Sequence, residues 1–270
     1  MKRILYLVMA AVITACSSDP YIIVQVADAQ LGFTAADVSQ KEGTEYVNDL
    51  TYESECLKKA VEMINDIRPD AVVFTGDQVN RAADEDQWTA FAEIISGIDK
   101  SVNVFHLPGN HDVVISEGNV DSTPFTSRYG EDRFVFAERG VRLVGINSNL
   151  IKYNDPREAE QKEWLSEVLL KEYEVSIVFA HHPFFMSSID EEDGYFQIQK
   201  DKRQAYFDLF GDKGVDAVYA GHRHNNAEGA YGTMPVRTTT SVAFQIGDAR
   251  PSIRVITVSD GAIQDELRSI

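Results

Sequence analysis

The chain has 270 residues, of which 44% are hydrophobic, and its formal net charge is -18. This length and this hydrophobic fraction are sufficient for one sizeable core, so a single domain is expected after the N-terminal segment. The negative charge repels a polyanion, so no nucleic-acid partner is expected. A small phosphate compound stays compatible with this charge, because bound divalent ions dominate the field close to them.

The N-terminal 20 residues show the order of an export signal rather than of a folded element. Two cations are followed by the apolar run 4–13, which is too short to span a bilayer, and small residues then precede Cys16. This order is similar to that of a bacterial lipoprotein. We therefore predict a signal peptide over residues 1–15, lipidation of Cys16 and a tether over residues 16–20. A short apolar helix with a chance cysteine is the alternative.

Lipidation implies that the chain is exported and anchored by lipid in the cell envelope, in the periplasm or at the outer surface. It also leaves Cys56, the other of two cysteines, without a disulfide partner. A bridge between Cys16 and Cys56 is the alternative. Because Cys56 lies on a predicted helix beside Leu57 and Ala60, we expect a buried, unreactive thiol.

The segment after the tether alternates buried strands with amphipathic helices. Continuous apolar runs rich in β-branched residues predict the strands, and apolar residues at helical spacing predict the helices. In chain order, the elements are strand 21–27, helix 48–67 (ended by Pro69), strand 71–75, helix 84–98 and strand 102–107.

Residues 113–132 have turn residues and little periodicity, so a long functional loop is predicted there. The elements that follow are strands 134–136 and 141–146, helix 161–171, strand 175–180, helix 202–210, strand 215–220 and short strands from residue 229 onward. This order predicts a mixed sheet with helices outside and a second sheet packed against it.

An acidic and aromatic loop is predicted over residues 187–200. Its acidic run 190–193 is expected to be solvated, and a metal-binding cluster is the alternative. Tyr195 and Phe196 either shape a substrate pocket or anchor the loop.

Residue types that bind metals gather at the ends of five predicted strands. They are Asp28 and Gln30, then Asp77, then Asn110, His111 and Asp112, then His181 and His182, and last His222, Arg223 and His224. Sites in open α/β sheets form beyond the carboxyl ends of strands, so these side chains are expected to converge on one crevice. Carboxylate and amide oxygens with imidazole nitrogens suit zinc, manganese or iron.

Each of these residues has a simpler interpretation when it is taken alone. Asp77 would more often be a helix N-cap, and Asn110 would be a turn residue with a left-handed backbone. His106, inside a strand, is expected to be a hydrogen-bonded structural residue. The simple interpretations fail as a set, because five of the six histidines lie in the three histidine-containing clusters.

The motif series Asp-x-(His), Gly-Asp-x-x-Asn, Gly-Asn-His-Asp, His-x-Pro and Gly-His-x-His resembles that of the calcineurin-like metallophosphoesterases, from Asp28 to His224. The resemblance implies an α/β fold, a four-layer α/β/β/α sandwich with two mixed β-sheets flanked by helices, as a single domain over residues 21–270. It also implies two divalent metal ions (Mn, Fe, Zn or Mg) and hydrolysis of phosphate esters.

The same resemblance implies a phosphorylated small-molecule or protein substrate, hydrolysed by a phosphomonoesterase or protein phosphatase. A phosphodiesterase is one alternative, and a catalytically weak metal-binding lipoprotein is another. The family's metal ligands carry over as follows: Asp77 bridges both metals, Asp28 and His224 hold the first, and Asn110, His181 and His222 hold the second.

His111 resembles the family's proton donor to the leaving oxygen, and Asp112 is expected to orient it through the other ring nitrogen. His182 is predicted to lie behind the ligands or on the substrate side rather than to bind a metal, and Arg223 is predicted to contact the substrate, with solvent exposure as the alternative.

Gln30 departs from the family pattern, which usually has histidine in the first motif. A glutamine carbonyl oxygen is a weaker ligand than imidazole for zinc or iron, so a looser first metal, such as magnesium or manganese, is predicted. The run 25–32 also looks like a subgroup with Asp-Pro-Gln at this place, the calcineurin-like phosphoesterase-domain-containing protein phosphatases of animals.

Overall fold

A computed structural model of the chain describes residues 19–170 and 172–270. The predicted signal peptide and Cys16 lie outside these residues. Within the described ranges, no helix has the length and apolar character needed to cross a membrane.

Strands and helices alternate along most of the chain. The elements are β1 (Tyr21–Val26), α1 (Phe33–Glu42), α2 (Thr51–Ile67), β2 (Ala71–Phe74), α3 (Glu85–Ile95), β3 (Asn103–His106), β4 (Val114–Ser116), β5 (Asn119–Asp121), α4 (Thr123–Tyr129), β6 (Phe134–Glu138), β7 (Val141–Gly145), α5 (Ser148–Lys152), α6 (Glu158–Val168), β8 (Val175–Phe179), α7 (Lys200–Lys213), β9 (Ala217–Ala220), β10 (Ala227–Tyr231), β11 (Met234–Thr238), β12 (Ser252–Ser259) and β13 (Ala262–Ser269).

Two mixed sheets contain most of the strands. The first has five strands in the order β13-β12-β1-β2-β3, and the second has six in the order β10-β11-β9-β8-β7-β6. In the first sheet, β1, β2 and β3 run parallel, whereas β12 pairs antiparallel with β1. Parallel neighbours require crossover connections, which α2 and α3 provide.

The two sheets pack face to face, and helices cover their outer faces. Ile23 and Val73 of the first sheet meet Ile177 and Tyr219 of the second in one buried core. The next residue of β1, Val24, faces a separate core formed with α2 and α3. Strands β1, β2, β8 and β9 are buried on both faces, so they are largely apolar runs without alternation. The predicted four-layer α/β/β/α sandwich is confirmed.

Residues 113–132 are not the unstructured loop that was predicted. They form the hairpin β4–β5 and the helix α4. Each strand of the hairpin has three residues, and only Phe125 of α4 is buried, so these elements are too short to show a period. Helix α1 also escaped prediction, because it buries no residue and carries no apolar stripe.

Candidate metal centre

The turns that follow β1, β2 and β9 have left-handed backbone at residues other than glycine. Asp28 (φ 52°), Asp77 (φ 51°), His222 (φ 69°) and His224 (φ 54°) all adopt it. The Asp28 N–H donates to the Gly76 carbonyl oxygen at 3.2 Å, which ties the first two turns together. Such conformations are unfavourable and persist only where the surroundings determine them, and they cluster at functional sites.

His181 is at the centre of one group of electron-pair donors. Its Nδ1 lies 2.9 Å from the Thr75 carbonyl oxygen, so Nδ1 must carry the hydrogen and donate it. Nε2 then has a free electron pair, yet it lies 3.1 Å from Asn110 Oδ1, 3.1 Å from His222 Nδ1 and 3.3 Å from Asp77 Oδ2. These donors need a cation between them, and a second proton on His181 or a bound metal ion would supply it.

A second group forms around His224 and shares Asp77. His224 Nδ1 donates to the Phe244 carbonyl oxygen at 2.6 Å, so its Nε2, 3.6 Å from Asp28 Oδ1, is also left with a free electron pair. Ligand atoms of Asp28, Asp77 and His224 all lie within 4.8 Å of one another. The Asp28 carboxylate accepts the His222 N–H at 3.1 and 2.9 Å, which fixes its orientation.

The site contains two buried carboxylates, those of Asp28 and Asp77, which added positive charge would stabilise. Asp28 and Asp77 are each 1% exposed. Burial raises the pKa of Asp28, and the His224 and His181 charges only partly oppose this. Burial also acts to raise the pKa of Asp77, but neighbouring histidines, with His181 first, outweigh it and lower that pKa. Buried carboxylates are stable when they are paired or bind metals, so this set of oxygen and nitrogen donors fits two divalent cations.

Gln30, two residues after Asp28, presents an unsatisfied acceptor. Its Oε1 is buried without a hydrogen-bond partner, while its Nε2 donates weakly to Asn80 Oδ1 at 3.5 Å. An orphaned carbonyl oxygen is the donor that the sequence predicted for this position. It is a hard ligand of the kind that magnesium and manganese accept.

The expected pairing of His111 with Asp112 is wrong. The His111 ring donates from Nδ1 to the Asn80 carbonyl oxygen at 2.9 Å. Asp112, which is fully buried, instead accepts the backbone N–H groups of Gln78 at 2.9 Å and Gly109 at 2.8 Å. Asp112 therefore joins the turns after β2 and β3, because its carboxylate satisfies backbone donors that face inward.

His182 is buried beside the candidate ligands. The residue is 0% exposed, and its Nδ1 lies 3.0 Å from Ser148 Oγ. Its Nε2 is buried without a partner, and ligand atoms of His181, His182 and His222 lie within 4.8 Å of one another. Burial and the neighbouring histidines hold the pKa of His182 well below its usual range. The structure thus places a neutral imidazole behind the ligands.

Arg223 and the acidic run 190–193 lie outside the two groups. Arg223 is half-buried between His222 and His224, and its predicted contact with substrate stays a prediction. Among the described residues, run 190–193 is not one of the groups that could hold a metal ion.

Ser148 is a functional residue that the sequence interpretation missed. Its hydroxyl oxygen accepts the backbone N–H groups of His181 at 3.2 Å and His182 at 2.8 Å. The adjacent Asn149 donates from Nδ2 to the Gly109 carbonyl oxygen at 3.3 Å. Both residues follow a predicted strand, so polar residues at that strand end were the available signal.

Comparison with known proteins places these features in a family. The model of the calcineurin-like phosphoesterase family matches residues 23–226. The chain is 29% identical over 269 residues to the serine/threonine-protein phosphatase CPPED1 of Danio rerio, covering 94% of this chain and 86% of that protein. It is 28% identical over 203 residues to the "Probable cyclic nucleotide phosphodiesterase" of Pseudoalteromonas sp. (strain SM9913), covering 71% and 70%.

The fold is shared with solved structures. The purple acid phosphatase PPD1 of yellow lupin superposes with a TM-score of 0.68 at 17% identity, over 93% of this chain and 52% of that one.

Proposed function

The chain belongs to the calcineurin-like phosphoesterase family and is a metal-dependent phosphoesterase, and from that premise we propose that its substrates are phosphomonoesters of proteins or small molecules. One observation carries the proposal of a two-metal centre. His181 Nε2 and Asp77 Oδ2 lie 3.3 Å apart in a fully buried site, and Asp77 also belongs to the group with Asp28 and His224. Asp77 is the residue that both metals would share.

Two divalent ions held here would polarise the phosphoryl oxygens and activate a water molecule for attack on phosphorus. Asp28, Gln30 and His224 would hold the first ion, and Asn110, His181 and His222 the second. The carbonyl oxygens of Thr75 and Phe244 fix the tautomers that these histidines need.

The orientation of the His111 ring supports a role in proton transfer. The Asn80 carbonyl oxygen holds Nδ1–H, so Nε2 is the ring nitrogen that exchanges its proton. In its protonated form, His111 would donate from Nε2 to the oxygen of the departing alcohol. Nδ1 of His111 is thus held by the backbone carbonyl of Asn80 rather than by the Asp112 carboxylate.

The two relatives support different ester classes. The match to the protein phosphatase extends over 94% of the chain, and the match to the phosphodiesterase over 71%. The longer match favours the monoesterase. A diesterase acting on cyclic nucleotide-type substrates is the second candidate.

A parallel substrate assay tests these candidates. Purified protein starting at residue 17 is loaded with Mn, its metal content is measured by elemental analysis, and p-nitrophenyl phosphate is compared with bis-p-nitrophenyl phosphate. Faster turnover of the monoester, and release of phosphate from phosphoserine peptides, are the expected results. Preference for the diester contradicts the proposal, and two bound metals without turnover of either ester would indicate a metal-binding protein that has lost catalysis.

We further propose that the protein acts at the cell envelope through lipid on Cys16. The support is the order of residues 1–20 in the sequence. Fractionation of cells that express the full chain should place it with membranes, and Cys16→Ala should prevent incorporation of labelled fatty acid. Equal incorporation by the variant would exclude this anchor.

A further inference from the structure

Two aromatic side chains lie beside His222, one of the candidate ligands of the second metal. The Tyr195 ring is centred 5.5 Å from the His222 ring and tilted by 32°, and the Phe196 ring is 5.6 Å from it. Tyr195 and Phe196 contact each other edge to face at 5.1 Å.

Tyr195 exposes 67% of its surface, although the loop that carries it is held firmly. The buried guanidinium of Arg203 and the ammonium group of Lys152 donate to backbone carbonyl oxygens along the loop formed by residues 187–199. The acceptors are Ile189 (3.1 Å), Glu191 (2.6 Å) and Ile198 (2.8 Å) for Arg203, and Gly194 (3.1 Å) and Gln197 (2.6 Å) for Lys152.

The fully buried guanidinium of Arg203 and the half-buried ammonium group of Lys152 fix the backbone of this loop, so Tyr195 presents an exposed ring next to the candidate metal centre. Leaving such a ring exposed is unfavourable, but a ring already fixed in place loses little conformational entropy when a ligand covers it. Anchoring of the loop does not require this exposure, because the anchoring bonds are made by Arg203 and Lys152.

We propose that Tyr195 and Phe196 form a subsite that binds an aromatic or large apolar group adjoining the phosphate of the substrate. The inference rests on the proposed phosphoesterase function and specifies its substrate class. Aromatic pairs contribute beyond the area that they bury, whereas a small polar alcohol offers no surface to the rings. The site therefore selects esters that carry an apolar group near the phosphate.

Calorimetric titration of the Mn-loaded protein with phenylphosphonate and methylphosphonate tests the subsite without turnover. The wild-type protein should bind phenylphosphonate more tightly, and Tyr195→Ala should reduce the ratio of the two affinities roughly tenfold, which corresponds to about 1.4 kcal/mol. Tyr195→Phe keeps the ring and should keep the ratio. Leu267→Ala, an exposed apolar position on β13, serves as the matched control.

Equal affinity of the wild-type protein for both phosphonates overturns the subsite, as does an unchanged ratio in Tyr195→Ala. A protein that hydrolyses no phosphoester but binds phenylphosphonate selectively refutes the proposed function and supports the subsite. The two failures are therefore distinguishable.

Discussion

At the scale of single residues, the candidate centre depends on where hydrogen atoms sit on imidazole rings. The sequence could predict which histidines gather, because their spacing follows the strand ends. It could not predict their tautomers, because the acceptors for His181 and His224 are the backbone carbonyls of Thr75 and Phe244. A backbone carbonyl leaves no trace in residue identity. The same reason explains the error over Asp112 and His111, whose ring is held by Asn80 O.

Replacing the shared carboxylate should affect both metals. In Asp77→Asn, the loss of one negative charge should lower the content of both ions and reduce phosphatase activity by more than about 100-fold, since even groups that merely orient a ligand are typically worth 10- to 100-fold. Elemental analysis and steady-state kinetics measure this. Asp190→Asn, on the exposed loop, is the matched control and should behave as wild type. Loss of activity at full metal content would contradict the shared role.

The proton-transfer role of His111 predicts a dependence on the leaving group. His111→Gln should slow alkyl phosphates by about 100-fold or more and p-nitrophenyl phosphate far less, because a good leaving group departs without a proton. A plot of log kcat against leaving-group pKa for a series of aryl phosphates should become steeper in the variant. A uniform decrease across the series would show that His111 acts in another way.

At the scale of elements, turns rather than helices carry the candidate site. The central strands were predictable because burial on both faces makes them largely apolar, and the turns then followed as strand ends. The short hairpin β4–β5 and the exposed helix α1 were not, because neither buries enough apolar surface to leave a period in the sequence. The close approach of the turns after β2 and β3 was also not predictable from the sequence. In the structure it is seen at Gly109, which lies against Asp77.

Gly109 should be indispensable because of what lies beside it. A Cβ at this position would overlap Oδ1 and the backbone nitrogen of Asp77. Gly109→Ala should therefore displace Asp77 and lower metal content and activity by at least about tenfold. Gly211→Ala, in α7, meets no atom within 4 Å and should leave activity unchanged while stabilising the helix by about 0.5–1 kcal/mol. Wild-type metal binding in Gly109→Ala would show that the turns can separate.

At the scale of the whole molecule, the four-layer packing brings turns from two sheets to one place. The alternation of elements predicted a mixed sheet with helices outside and a second sheet packed against it, and the buried core that Ile23 shares with Ile177 confirms that packing. Strand order was not predictable, since β12 enters beside β1 from the far end of the chain.

Protonation of His106 should contribute to a loss of stability of the whole fold in mild acid. The ring of His106 is stacked on Phe74 and Tyr129, and burial lowers its pKa to about 3. Between about pH 6.5 and 3 the unfolded chain takes up a proton that the folded chain does not. The free energy of unfolding should therefore decrease as pH falls through this range, by at most about 1.4 kcal/mol per pH unit from this residue.

Urea unfolding of the wild type and of His106→Phe across this pH range measures the effect. The variant keeps a ring in the stack, and its stability should decline less steeply with acid. Parallel curves for the two proteins would exclude His106 as the source.

The pairing of β1 with β12 has a consequence for how the protein is made. Tyr21 lies opposite Val258, so β1, near the beginning of the domain, pairs with a strand that is synthesised more than 230 residues later. Contacts so distant in the chain slow folding. A nascent chain emerging from the ribosome therefore keeps this edge of β1 open until the hairpin β12–β13 has appeared. Binding by a chaperone is compatible with that interval, because the first sheet cannot be completed before β12 has been synthesised.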